Sequence, residues 1–231
     1  MKRLKISIAC CLAIVSMIQA QNPLSQEVQT EFGIGIAIPF LHTGEELERS
    51  ANLRSDGLSY FANDEGNRRN VGEYGNPIGW SIALAYYHPI KKVKGLMIGS
   101  AIRNSLTGTQ PQNGGYEEGY FFNYLSLGLA AKYYPFTEVN MFLKADAGLA
   151  SVFTKNRFLD EQNQQLFFHQ FGIGSNFSIA AGYSILPFKN KSNSIDLQLI
   201  YQFNSTRVEV NGIGNDQWTY SAITLMAAYN F

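Results

Sequence analysis

Three histidines, His42, His88 and His169, are the first residues to weigh for acid–base or metal chemistry. No two of them neighbour one another at metal-ligand spacing. A nucleophile needs its base within hydrogen-bond reach, yet no serine lies within two residues of His169. The spacing places His42 in a first long loop, His88 at the start of a short turn and His169 near the opposite rim. Acidic loop residues could gather calcium, but no Asp/Asn ligand loop of the required spacing occurs. Cys10 and Cys11 are the two cysteines, and both fall in a leader segment. The chain therefore offers no catalytic set, no metal site and no cofactor site.

A second group of residues is more suggestive. Glu31, Arg103, Lys132, Lys144, Asp146 and Asp196 stand as isolated charges among glycine, alanine and serine. Charges enclosed with such neighbours must pair or stay hydrated, because an isolated buried charge is costly. Two arrangements satisfy that demand: a plug of salt bridges, or a hydrated path for small solutes. Arg103 sits higher than the rest, and its partner is not readable from the spacing.

The elements that must position these charges are strands. Two-residue periodicity recurs eight times between Glu31 and Phe231. Phe32, Ile34, Ile36 and Ile38 alternate with Glu31, Gly33, Gly35 and Ala37. Trp80, Ile82, Leu84 and Tyr86 alternate with Ser81, Ala83, Ala85 and Tyr87. The pattern returns around Leu96–Ile102, Leu125–Tyr133, Leu143–Leu149, Phe171–Ile179, Ile195–Tyr201 and Ile223–Phe231. One face is continuously large and apolar, and the other is small, polar and poor in charge. A soluble sandwich would instead carry a broadly charged solvent face. A narrow closed barrel with its large residues toward lipid fits; a soluble lipid-carrier barrel is the rival, with the large residues inside. Eight strands enclose room for side chains or one small ligand, which favours the plug.

Connections alternate in length. Long polar stretches are expected at 41–76, 104–118, 154–166 and 204–217, and short links at 88–94, 135–140 and 187–193. Each short link carries a proline near its start, Pro89, Pro135 or Pro187, where a fixed φ and a missing donor do no harm. The first loop also holds a capping-box start at Thr43–Glu46, suited to a short helix through Arg54, and a mixed-charge patch at Asp64, Glu65, Arg68 and Arg69. Aromatic residues gather at both strand ends. Tyr86, Tyr87, Tyr133, Tyr134, Phe136, Tyr183 and Phe188 lie beside the short turns. Trp80, Tyr120, Phe121, Phe168, Trp218 and Tyr220 lie near the long loops. Amphipathic rings favour the headgroup level, so these read as two girdles.

The first twenty residues read as a cleaved signal: Lys2, Arg3 and Lys5, then an apolar run from Ile6 to Ile18, then Ala20. The run is short of the roughly twenty apolar residues a transmembrane helix needs. The expected layout is a signal peptide at 1–20 and one barrel domain at 21–231. Its removal takes both cysteines and three basic residues, leaving a mildly acidic chain without disulfides. Eighteen basic against eighteen acidic residues overall gives no basic stripe for nucleic acid.

Taken with that signal, three stretches resemble the small outer-membrane β-barrel proteins of Gram-negative bacteria, most nearly the barrel-domain family common in Bacteroidota. They are Lys132-Tyr133-Tyr134-Pro135-Phe136, Tyr183 to Phe188, and the terminal Ala228-Tyr229-Asn230-Phe231. The resemblance implies an eight-stranded antiparallel up-and-down transmembrane barrel with four long outer loops and three short periplasmic turns. It implies outer-membrane lipid and lipopolysaccharide as surroundings, and periplasmic chaperones and the barrel assembly machinery as partners, with Tyr229 and Phe231 as the assembly signal. It supplies no catalytic set. Barrels similar to lipid-A deacylases carry a His-X-Ser pair, from which His169-Gln170-Phe171 departs. The function expected is that of a non-enzymatic barrel that anchors in the bilayer and presents loops to an unidentified partner. A narrow small-solute pore and a lipid-modifying enzyme are the alternatives.

Overall fold

Successive side chains of a strand point to opposite faces, so eight runs of large–small alternation suit a sheet with one face toward lipid and the other toward itself. The computed structural model describes residues 27–42, 78–109, 112–113, 116–136, 139–159, 165–186, 193–210 and 214–231. Eight long strands form there: β1 Gln29–His42, β2 Gly79–Pro89, β3 Leu96–Thr109, β4 Tyr116–Tyr133, β5 Met141–Leu159, β6 Gln165–Ile185, β7 Ser194–Val210 and β8 Gly214–Asn230. Gln112–Asn113 is a two-residue piece that pairs back onto the start of β4.

Every strand bonds antiparallel to its neighbours in sequence, and β1 bonds to β8. The sheet thus closes into an eight-stranded up-and-down ring. Thr30 and Phe231 seal the joint by exchanging both backbone hydrogen bonds at 3.0 Å. Closure matters in hydrocarbon, where each unpaired backbone group costs several kcal/mol. No helix among the described residues is long and apolar enough to cross a membrane.

The faces divide as the alternation requires. Ile34, Ile36, Leu84, Leu127, Leu149, Phe177, Leu199 and Leu225 are exposed on the outside, whereas Ser81, Ser126, Lys132, Asp196, Gln202 and Thr224 are buried within. A soluble carrier would have the reverse arrangement, so the apolar exterior identifies a transmembrane barrel. Small inward residues let the wall close tightly. At Gly99 an added Cβ would collide with the carbonyl oxygen of Tyr86 on β2.

Two sequence expectations are corrected. The first concerns the outer rim. β3 runs on through Thr109 and β4 begins at Tyr116; β5 reaches Leu159 before β6 begins at Gln165; β7 reaches Val210 before β8 begins at Gly214. Three of the four connections read as long loops are strand over most of their length. His42 is accordingly the last residue of β1, opposite Thr219, rather than part of a loop. A ladder needs no apolar side chains once it has left hydrocarbon, so polar segments such as Asn104-Ser105 and Thr206-Arg207 continue pairing. The first connection, 43–77, lies outside the described residues, and with it the capping box and the mixed-charge patch.

The second correction concerns the girdles. Trp80, Tyr86, Phe121, Tyr133, Phe136 and Tyr183 do face outward. Tyr87, Tyr134, Trp218 and Tyr220 point into the barrel instead, the last two with 0 % of their surface exposed. Parity is the reason: Tyr87 follows outward Tyr86, and Tyr134 follows outward Tyr133. Phe188 and the side chains of Tyr120 and Phe168 lie outside what is described.

Candidate functional site

The inward faces stack into three layers. The lowest, beside the short turns, is an ionic knot. Glu31 comes from β1, Lys132 from β4, Lys144 from β5 and Asp196 from β7. Lys132 Nζ lies 2.6 Å from Asp196 Oδ2 and 3.7 Å from Glu31 Oε2. Lys144 Nζ pairs closely with Glu31 and lies 3.9 Å from Asp196. Two cations meet two anions, so the knot is neutral.

Neutral amides and hydroxyls complete its hydrogen bonding. Lys132 Nζ donates to Gln29 Oε1 at 2.9 Å, and Lys144 Nζ donates to Gln198 Oε1 at 3.0 Å. Gln198 Nε2 donates to Glu31 Oε1 at 3.1 Å. Ser184 Oγ donates to Asp196 Oδ1 at 2.6 Å, and Ser194 Oγ reaches the same oxygen at 3.3 Å. Phe142 presents its ring to both ammonium groups, 4.7 Å from Lys132 Nζ and 4.9 Å from Lys144 Nζ. Tyr87 faces both as well, at 5.7 and 5.5 Å. Such a desolvated cluster holds together only because nearly every donor and acceptor is met.

The middle layer holds Arg103 of β3 and Asp146 of β5, whose Nη2 and Oδ2 lie 3.1 Å apart. Asn176 Nδ2 donates to Asp146 Oδ1 at 2.8 Å, and Ser178 Oγ donates to Oδ2. Beside them Ser105 Oγ donates to Gln202 Oε1 at 3.0 Å. Some buried polar atoms here have no protein partner among the described residues: Arg103 Nε and Nη1, Asn176 Oδ1 and Asn204 Nδ2. Groups of this kind are ordinarily met by internal water.

The upper layer is aromatic. Tyr124 stacks on Tyr220 with centroids 4.4 Å apart, and Phe122 lies 6.0 Å from Trp218. Trp218 Nε1 donates to Asp216 Oδ2 at 3.1 Å. The four rings cap the polar middle.

All six charges singled out in the sequence therefore line the interior, in two groups rather than one. Asp146 belongs with Arg103, one layer above the knot. The aromatic floor and cap were missed, although inward parity at Tyr87, Tyr124, Phe142, Trp218 and Tyr220 was available to find them. The histidines stay apart. His88 is exposed at the short-turn rim, and His169 on β6 has its Nδ1 3.3 Å from Thr154 O with its ring stacked on Phe153. No group of three or more His, Cys, Asp or Glu side chains able to hold a metal occurs among the described residues. The interior is filled and held by these paired side chains.

No family model matches the chain, and no curated protein matches it either. Among solved structures it is similar to Ail, the attachment invasion locus protein of Yersinia pestis, in complex with the heparin analogue sucrose octasulfate, at 14 % identity over 89 % of this chain and 99 % of that one, TM-score 0.46. It is similar to the outer membrane protein OprG from Pseudomonas aeruginosa at 10 % identity over 93 % and 99 %, TM-score 0.42. Neisserial surface protein A is similar at 12 % identity over 88 % and 97 %, TM-score 0.39. At these values the likenesses add nothing to the closed ring, which stands on its own hydrogen bonds.

Proposed function

We propose that this chain is a non-enzymatic barrel of a Gram-negative outer membrane, anchored in the bilayer, with its outer hairpins and the 43–77 connection presented to the exterior and its interior plugged. The observation that carries the plug is the neutral knot of Glu31, Lys132, Lys144 and Asp196, packed against Phe142 and Tyr87 across the full width of the barrel. The outward apolar band supports the bilayer placement. A segment at 1–20 read as a secretion signal supports the route, and it lies outside the described residues.

Lipopolysaccharide and phospholipid are then its surroundings. Chaperones and the assembly machinery are its partners during insertion. Tyr229 and Phe231, both exposed and stacked 6.0 Å apart, are the proposed assembly signal. The resemblance to the Bacteroidota barrel-domain family belongs to this reading too, resting on the Lys132–Phe136 stretch, Tyr183 to Phe188, and the aromatic terminus.

Single-channel recording in planar bilayers tests the plug. The wild-type protein is expected to be silent. A discrete conductance, altered by Lys144→Ala or Asp146→Asn, would replace the plug with a narrow small-solute pore.

A further inference from the structure

Outside the barrel, on the face turned to lipid, the wall is dented. A depression of about 520 Å³ runs over β3 to β6, with Ala131, Ala145 and Ala147 in its base and Ile98, Leu129 and Phe177 around it. Leu129 stands out as a free wall, 80 % exposed. Register places the dent toward the short-turn end: Ile98 lies opposite Ala131, which lies opposite Ala145, and Leu96–Tyr133 is the last pair of that seam.

Next to that end of the seam is the turn joining β2 to β3, where Lys91 and Lys92 are exposed with no acidic residue in the turn. The turn is fixed. Ile90 N donates to Leu96 O at 2.9 Å and Leu96 N to Val93 O at 3.2 Å, and Gly95 takes the left-handed φ of 79°. Tyr134 N then donates to Gly95 O at 2.9 Å, which ties the turn to the end of β4. Across the three short links the sequence sets five lysines, including Lys189 and Lys191, against one glutamate, Glu138. Ile98 is two residues into β3 from Leu96, where the turn ends, about 7 Å along the strand. The hydrocarbon half-thickness of a bilayer is about 15 Å, so an acyl chain lying in the dent carries its phosphate down to the lysines.

We propose that the dent and the lysine turn together hold one anionic glycerophospholipid of the periplasmic leaflet, its chain against Ala131, Ala145 and Ala147 and its headgroup on the exposed Lys91 and Lys92. This rests on the bilayer placement proposed above. Apolar contact alone would take any acyl chain; the lysines supply the choice of headgroup, since a basic residue at an anionic surface contributes appreciably to lipid attraction.

The test is native mass spectrometry of the refolded protein after equilibration with equal phosphatidylglycerol and phosphatidylcholine. Heat-modifiable migration checks the barrel separately, so loss of folding overturns the bilayer reading, whereas a folded protein without lipid preference overturns only this inference. The wild type is expected to retain phosphatidylglycerol over phosphatidylcholine by at least about tenfold. The double variant Lys91→Gln, Lys92→Gln is expected to bring that ratio near one while still retaining lipid. Ala145→Leu with Ala147→Leu keeps the outer face apolar, fills the dent and is expected to lower retention of both lipids. An unchanged ratio in the lysine double variant, undiminished retention in the filled variant, or equal displacement by free glycerol phosphate overturns the proposal.

Discussion

Lys132 stands at a place with no exposed surface, and its neighbour across the β4–β5 ladder is another lysine, Lys144. Directly opposed like charges are unfavourable in a sheet, and the clash is relieved only by Asp196 and Glu31 reaching in from β7 and β1. Removing one partner leaves an uncompensated buried charge, so Lys132→Met is expected to cost about 3–5 kcal/mol of stability. The double variant Lys132→Met, Asp196→Leu is expected to recover much of that loss. Urea titrations of the protein in lipid vesicles measure both, and equal stability of single and double variants would refute the pairing. That these residues point inward was legible from alternation alone. Their pairing was not, because partners from β1, β4, β5 and β7 meet through the barrel's stagger, which no spacing along the chain encodes. Tyr87 and Trp218 were legible but overruled: clustering at strand ends suggested a girdle where parity already assigned them to the interior.

Elements obey the same two-residue rule, and it yields sharp contrasts between adjacent positions. Leu127 on β4 faces lipid, so Leu127→Arg is expected to cost roughly 2–4 kcal/mol of insertion free energy near the midplane. A neutral effect in vesicle-folding assays would contradict an apolar exterior. The two tryptophans give a second contrast, since Trp80 is outward and Trp218 fully enclosed. Emission from Trp80 in a Trp218→Phe chain is expected to be quenched by brominated lipid. Trp218 in a Trp80→Phe chain is expected to resist both that quencher and aqueous acrylamide; strong acrylamide quenching would show the aromatic cap to be open. Strand centres were readable because lipid demands a large residue at every second position. Strand ends were not, because beyond the bilayer β3, β5 and β7 carry Asn, Ser, Thr and Lys on a ladder that continues regardless. A polar strand and a polar loop look alike until the hydrogen bonds are known.

The whole molecule is expected to show β-type circular dichroism and to migrate differently on gels with and without heating; a soluble monomer free of detergent would contradict the fold. The ring's closure was inferable from an even number of lipid-facing strands, since none could cross hydrocarbon alone. Its joint has a further consequence for how the chain reaches this state. Thr30 must find Phe231, a partner about two hundred positions away, before either outer strand has both neighbours. The entropy of closing so large a loop grows only logarithmically with its length, but contacts this distant make for slow folding. Up to the moment of closure the nascent sheet has two open edges, each able to pair with another copy. Time spent unclosed, rather than the final stability of the ring, is therefore the hazard this topology sets. A chain lacking its last few residues should aggregate even though seven of its eight strands are intact.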